Sequence, residues 1–418
     1  MKDFEISALP EERVSFGRDI LSVPVIVAAL GYFVDIYDLI LFSIVRVQSL
    51  KAIGLSGQEL LDKGVFLLNM QMAGMLLGGI LWGILGDKKG RVKILFGSIF
   101  LYSIANIANG FVESIEGYAV WRFIAGIGLA GELGAGVTLV LENLPRHSRG
   151  YGTMIVATVG VSGAVLANYV AKAFDWRMAY FIGGGLGMAL LIMRISVYES
   201  GMYKRMEEKE ISRGNFFSLF TNRKRFFKYM NSILIGLPIW FCVGILITFS
   251  PEFAKTMNVS GTVSAGEAVM FCYIGLVFGD FASGFLSQYL RSRKKVVFLF
   301  QILTSISIVL YFFLKGADAS LFYVLSGVIG FAIGYWAIFI TIAAEQFGTN
   351  IRATVASTVP NFIRGTVIPI TFLFQFAKKY LGIINAGAVV GALCMLIAFY
   401  ALYRLEETFD KDLNYVEE

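Results

Sequence analysis

The chain is patterned as long, unbroken apolar stretches separated by short charged or turn-rich breaks. The stretches run about 20 residues or more, the length a helix needs to cross a bilayer, whereas a membrane barrel would show alternating segments of about 10 residues. Hydropathy then predicts twelve spans, near 20–45, 64–86, 94–112, 115–141, 151–173, 178–198, 228–250, 265–289, 296–314, 320–344, 354–377 and 381–403. The longest break, 199–227, is rich in Lys, Arg and Glu and reads as a partly helical cytoplasmic linker. The pattern predicts an all-α membrane protein of twelve transmembrane helices. They form an N-terminal six-helix bundle (1–198), the linker (199–227), and a C-terminal six-helix bundle with a short cytoplasmic tail (228–418).

An internal repeat supports the division into pseudo-symmetric halves. The fourth span leaves through Glu142-Asn143-Leu144-Pro145-Arg146-His147-Ser148-Arg149-Gly150. The tenth leaves through Glu345-Gln346-Phe347-Gly348-Thr349-Asn350-Ile351-Arg352-Ala353, with the same Glu-to-Arg spacing. The basic cluster Arg291-Ser292-Arg293-Lys294-Lys295 repeats the Lys88 to Lys93 region at nearly the same offset, with Gln288 where Asp87 would recur.

Composition removes the water-soluble alternative. Hydrophobic residues make up 57% and charged residues 16%, with mean hydropathy +0.70, against about 25% charged residues in an ordinary soluble domain. The N-terminus is polar and mixed in charge, and the first apolar run is too long for a signal-peptide core, so it is expected to stay as the first helix. Most Lys and Arg outside the apolar stretches fall on the side of both termini. The positive-inside rule then places both termini in the cytoplasm of what reads as a bacterial inner-membrane protein. The net charge of +6 needs no nucleic-acid partner. Cys242, Cys272 and Cys394 all fall inside apolar stretches and read as small buried hydrophobes; no metal site or cofactor is expected. The single His147 lies in a loop among Arg146 and Arg149, which excludes a histidine proton relay.

Charges inside apolar stretches cost at least a few kcal/mol each, so they tend to face the bundle interior and to have a role. Asp35 and Asp38, at i,i+3, lie on one face of the first helix. Two carboxylates sharing a low-dielectric face cannot both keep their charge cheaply, so the pair suits uptake and release of a proton; the alternative is a solvated helix end. Arg122 precedes Gly126, Gly128, Gly131 and Gly134, small residues that allow close helix contact. A guanidinium keeps its proton and needs a carboxylate, here Asp38 first and Asp35 second, either as a switch or as a static stitch. Glu132, deeper in the same span, is a second carboxylate or a substrate ligand. Asp280 and Arg364 are the matching outliers in the second half. Arg364 could hold an anionic substrate or pair with Asp280. Arg194, Lys172 and Glu267 lie near span ends and are expected to snorkel.

The turn Gly86-Asp87-Lys88-Lys89-Gly90-Arg91, wedged between two apolar spans, resembles the loop signature of major facilitator superfamily transporters. Arg122-Phe123-Ile124-Ala125-Gly126-Ile127-Gly128 with Gly131-Glu132 is similar to the fourth-helix motif of its symporters. The Glu142–Gly150 exit is similar to that of its sugar and metabolite:proton symporters, and Glu199-Ser200 to an element there, although Gly201 replaces a proline. Asp35-Ile36-Tyr37-Asp38-Leu39 resembles its phosphate:proton symporters. The drug-antiporter motif is missing around Gly160-Val161-Ser162-Gly163, where no Gly-Pro pair occurs.

The resemblance implies the major facilitator fold, built of parallel six-helix repeats with a midplane substrate site. It implies Asp38 as a proton-coupling carboxylate with Arg122 as its partner, and Asp87 and Arg91 as a cytoplasmic latch; Asp35 and Glu132 are further proton-coupling candidates, and Glu142, Arg149, Glu345 and Arg352 further gating candidates. Trp240, Phe241, Tyr273, Trp336 and Phe339 occur in spans that line the cavity of this architecture, and Asn361 and Gln375 are polar enough to line it or to bond between helices. The expected activity is proton-coupled import of a small polar or anionic metabolite (organic acid, amino acid or phosphate-like) by a monomeric carrier in contact with lipid. A uniporter or exporter on the same fold is the alternative. A non-transporting membrane sensor, or an enzyme, finds no nucleophile–base set, nucleotide loop or soluble domain to support it.

Overall fold

The computed structural model describes residues 22–89, 91–134, 136, 140, 149–199, 216–409 and 411. The helices of the first half are α1 (Val23–Ala52), α2 (Glu59–Lys89), α3 (Arg91–Asn109), α4 (Ile115–Leu129), α5 (Arg149–Val161), α6 (Gly163–Ala173) and α7 (Trp176–Glu199). Then follow α8 (Ser218–Thr221), α9 (Arg223–Leu234), α10 (Leu237–Phe241), a π-helical turn Cys242–Ile247, α11 (Ser250–Thr256) and α12 (Ala265–Tyr289). The chain ends with α13 (Arg293–Phe312), α14 (Ala319–Ala332), α15 (Trp336–Glu345), α16 (Thr349–Gly365) and α17 (Val367–Arg404). Among the described residues, eight helical runs are long and apolar enough to cross a membrane, nine when Arg223–Leu234 and Leu237–Ile247, bent by 41°, are taken together. Their outward faces carry large exposed apolar side chains such as Phe278, Phe285, Phe372 and Phe376, as lipid-facing surfaces require.

Polar side chains punctuate the helices where hydropathy predicts breaks. Ser114 caps α4, Asn222 caps α9, Ser292 caps α13 and Asp318 caps α14, each accepting from a backbone N–H of the first turn. The predicted Gly86–Arg91 turn is shorter than its six residues: α2 stays helical through Lys89 and α3 begins at Arg91. The expected linker lies largely outside the described residues, which resume at 216 with α8 and the start of α9.

Several spans are broken within the bundle. The tenth interrupts between α14 and α15, the fifth at Ser162, and the eleventh between α16 and α17. The arm of α17 that completes the eleventh span ends at Gly382, whose φ of 74° only glycine adopts freely. The seventh span also bends, between α9 and α10, and side chains take carbonyls freed in the seventh and tenth spans. Gln301 and Tyr335 donate to the Ile235 carbonyl (3.3 and 3.0 Å), Thr304 to Ala332 (3.0 Å) and Tyr311 to Leu246 (2.9 Å).

Helices α12 and α14 meet through glycines. A Cβ on Gly279 would run into the Phe331 carbonyl and Gly334 Cα, and one on Gly330 into the Cys272 carbonyl. Backbone cannot yield as a flexible side chain does, so Gly279→Leu is expected to cost at least the 1–3 kcal/mol of an overpacked core. A lowered melting temperature of the purified protein in detergent checks it.

Candidate functional site

The helix breaks converge on one narrow cavity between the two halves. Tyr32 and Ile36 of α1 and Val161 at the end of α5 face it from the first half. From the second half come Ile239 and Trp240 of α10, Val243 of the π-turn, Tyr273 and Leu276 of α12, Trp336 at the start of α15 and Arg364 near the end of α16. Three of the predicted aromatics, Trp240, Tyr273 and Trp336, are therefore brought together with Arg364. Trp336 is fixed by its indole N–H on the Tyr32 hydroxyl (3.1 Å) and stacks on Phe339 (5.3 Å between centroids). Trp240 meets Trp336 edge to face at 6.4 Å. The guanidinium carbon of Arg364 lies 5.9 and 5.8 Å from the two indole centroids, within reach of a cation–π attraction.

Arg364 is fully buried, and Nε, Nη1 and Nη2 make no hydrogen bond. Its nearest carboxylate is not Asp280 but Asp35 of the opposite half, at 3.7 Å from Nη2, too long for a hydrogen bond. Neither Asp35 oxygen is bonded. Asp280 is occupied elsewhere: its Oδ1 accepts from the Ala337 N–H (3.1 Å), holding the first turn of α15 where the tenth span restarts. The cavity thus presents a rigid planar donor against apolar and aromatic walls, with one carboxylate just beyond bonding distance. That combination suits an anion with a hydrocarbon body.

Asp38 and Arg122 do not pair. The Arg122 guanidinium donates to the Gln71 side-chain carbonyl and lies over the Phe42 ring at 4.3 Å. Asp38 packs against Gly183 of α7, where no Cβ would fit. The i,i+3 spacing explains the separation. Residues three apart differ by about 60° around a helix, enough to turn Asp35 to the cavity and Asp38 into its own half.

Glu132 is not free to meet a substrate. Arg194 of α7 grips both its oxygens, at 3.1 and 2.5 Å, and also donates to the Val27 carbonyl (3.1 Å). Both side chains are 1% exposed, so the expected snorkelling of Arg194 is corrected. Its guanidinium turns inward to Glu132 and the Val27 carbonyl, and Gly31 of α1 makes the room for the pair. Lys172 and Glu267 do lie at helix ends, but they bond to each other across the halves instead of reaching outward separately.

Two further cross-half contacts accompany Lys172–Glu267 at the end of the bundle away from the termini. Arg46 of α1, fully buried, binds Glu252 of α11 (2.7 and 2.8 Å), the Leu60 carbonyl (3.1 Å) and the Thr248 carbonyl (3.3 Å). Asp62 accepts from Lys378 (3.0 Å) and Gln375 (3.2 Å). Gln375 is thereby removed from the cavity to an exposed bond. Arg46 and Glu252 were missed because the first span was ended at residue 45, although α1 runs on to Ala52; a buried arginine one residue past an apolar run was the available signal. Asn361 bonds between helices, its amide donating to the Ala130 carbonyl (2.8 Å). Glu345 binds Arg293 (2.6 and 2.8 Å), while Arg352 donates to the Phe347 carbonyl (3.1 Å). Glu142, and the side chains of Asp87, Arg91 and Arg149, lie outside the described residues. Among the described residues no group of three or more His, Cys, Asp or Glu could hold a metal ion.

Comparison with known proteins agrees with the fold. The family model described as "Major Facilitator Superfamily" matches residues 28–370. A putative niacin/nicotinamide transporter of Bacillus subtilis (strain 168) is 26% identical over 350 residues, covering 81% of this chain and 84% of that protein. A cis,cis-muconate transport protein of Acinetobacter baylyi (strain ATCC 33305 / BD413 / ADP1) is 26% identical and covers 96% and 98%. Among solved structures, the proton:xylose symporter XylE superposes with a TM-score of 0.69 at 18% identity, covering 94% of this chain and 97% of that one.

Proposed function

The chain belongs to the major facilitator superfamily, and on that premise we propose that it imports a small organic carboxylate together with protons, binding the anion at Arg364. Membership makes it an integral membrane transporter, not an enzyme, with twelve helices in two six-helix halves. The observation that carries the anion reading is the buried, unbonded Arg364 guanidinium facing a cavity walled by Trp240 and Trp336. A buried donor of this kind is costly unless something accepts its hydrogen bonds during the cycle. The names of the relatives agree with it, since niacin and cis,cis-muconate are both carboxylic acids.

In this reading Asp35 and Asp38 are the proton-coupling carboxylates. The halves are 1–198 and 228–418, both termini lie in the cytoplasm of an inner membrane, and the Arg46–Glu252 end faces outward. Asp87, Arg91, Glu142, Arg149, Glu345 and Arg352 belong to the cytoplasmic gate. Proteoliposomes with an acidic exterior test the proposal. Labelled nicotinate, benzoate or cis,cis-muconate should accumulate above equilibrium, and a protonophore should abolish the excess. Equilibration without accumulation would make the protein a uniporter; uptake of nicotinamide or xylose with no uptake of any acid would remove the carboxylate reading.

A further inference from the structure

We propose that Asp280 is a positioning residue for the cavity: it holds Trp336 in place from a neighbouring helix, and through Trp336 it favours carboxylates that carry an aromatic ring. The inference rests on the carboxylate reading of the cavity and adds which carboxylates it prefers. Helix α15 restarts inside the tenth span without a capping side chain of its own. Tyr335 stands at its N-cap and turns its hydroxyl away, to the Ile235 carbonyl (3.0 Å). The first N–H groups of a helix have no partner within it, and leaving them bare inside a membrane protein is costly. Asp280 of α12 supplies the missing acceptor. Its side chain is buried, and Oδ1 takes the Ala337 N–H at 3.1 Å. Glycine makes that reach possible: a Cβ on Gly334 would run into Gly279 Cα and the Asp280 nitrogen.

Trp336 is therefore fixed at two ends. Its backbone is held through the Asp280 bond one residue on, and its indole N–H through the Tyr32 hydroxyl (3.1 Å). Between these anchors the ring stays 5.8 Å from the Arg364 guanidinium carbon and edge to face with Trp240 at 6.4 Å. A ring attached to a carboxylate on Arg364 has to rest against these indoles, and aromatic contacts depend on the relative orientation of the rings. Acetate has no ring to place there. Loosening the first turn of α15 thus penalises benzoate and spares acetate. The cap uses one oxygen only, and Asp280 Oδ2 has no partner, so an amide at this position serves as well as the acid.

Calorimetry of the purified protein in detergent tests this, with benzoate and acetate as probes. Asp280→Leu fills the space without offering an acceptor. It should weaken benzoate about threefold to tenfold, the worth of one well-placed aromatic contact, and leave acetate unchanged. Asp280→Asn should keep the parent's ratio of the two affinities. In a Trp336→Leu background, Asp280→Leu should no longer move that ratio, because a residue that acts through another has no separate effect once the other is gone. Asp280→Ala carries the same test if Asp280→Leu does not fold. Equal weakening of both acids would reduce the cap to a purely structural bond and overturn the proposal. So would a changed ratio in Asp280→Asn, which would mean that the acid itself acts, or an undiminished effect in the Trp336→Leu background. If neither acid binds the parent protein, the carboxylate reading falls and the preference with it. If the ratio shifts as expected yet neither acid accumulates in vesicles, the positioning role stands and the import reading fails.

Discussion

Arg194→Ala is expected to destabilise the protein by about 3–5 kcal/mol, the cost of stranding one partner of a buried ion pair. Glu132 and Arg194 are both 1% exposed, and Arg194 supplies both bonds to the Glu132 carboxylate as well as one to Val27. Removing the guanidinium leaves a buried carboxylate inside the first half without its cation. Removing both charges together, as Arg194→Met with Glu132→Leu, should restore stability, because an apolar pair of similar volume avoids the desolvation cost altogether. The double variant should also keep uphill uptake, since Arg194 already occupies both Glu132 oxygens. A melting temperature unchanged by Arg194→Ala would mean the pair contributes nothing, and lost uptake in a stable double variant would return Glu132 to proton coupling.

The spans were legible because about 20 apolar residues admit few alternatives, and Asp35, Arg364, Trp240, Tyr273 and Trp336 were legible as exceptional residues within them. Their partners were not. Sequence spacing puts Asp35 and Asp38 on one helical face but does not resolve the roughly 60° between them, and that angle sends one to Arg364 and the other to Gly183. The helix breaks were hidden as well. Hydropathy averages over a window, and Gly236 with Pro238, or Gly334 before Trp336, leaves the average apolar while interrupting the backbone. Those interruptions nonetheless place the cavity, because Trp240, Trp336 and Arg364 each stand within a few residues of one. Arg46 was lost to a boundary drawn at residue 45, and with it an ion pair between the two halves.

Arg364→Ala should remove anion binding more completely than any other change in the cavity. Truncating one partner of a buried, hydrogen-bonded charge pair costs about 2–5 kcal/mol, roughly a 30-fold to 4,000-fold weaker Kd at 1.4 kcal/mol per tenfold. The substitution also strands Asp35, so loss of binding could follow from a disturbed fold. Combining it with Asp35→Asn removes both charges, and the double variant should melt like the parent while still failing to bind nicotinate or benzoate. Arg364→Lys separates charge from shape. A lysine keeps the balance with Asp35 but offers a point charge where arginine offers a planar fork matched to a carboxylate. It should therefore fold normally and bind with intermediate affinity. Trp240→Leu, which keeps the guanidinium and removes one aromatic wall, should weaken benzoate more than acetate, because only the ring of benzoate reaches the indole. Full-strength nicotinate and benzoate binding by the charge-free double variant would show that Arg364 holds the two halves together and that the anion is bound elsewhere.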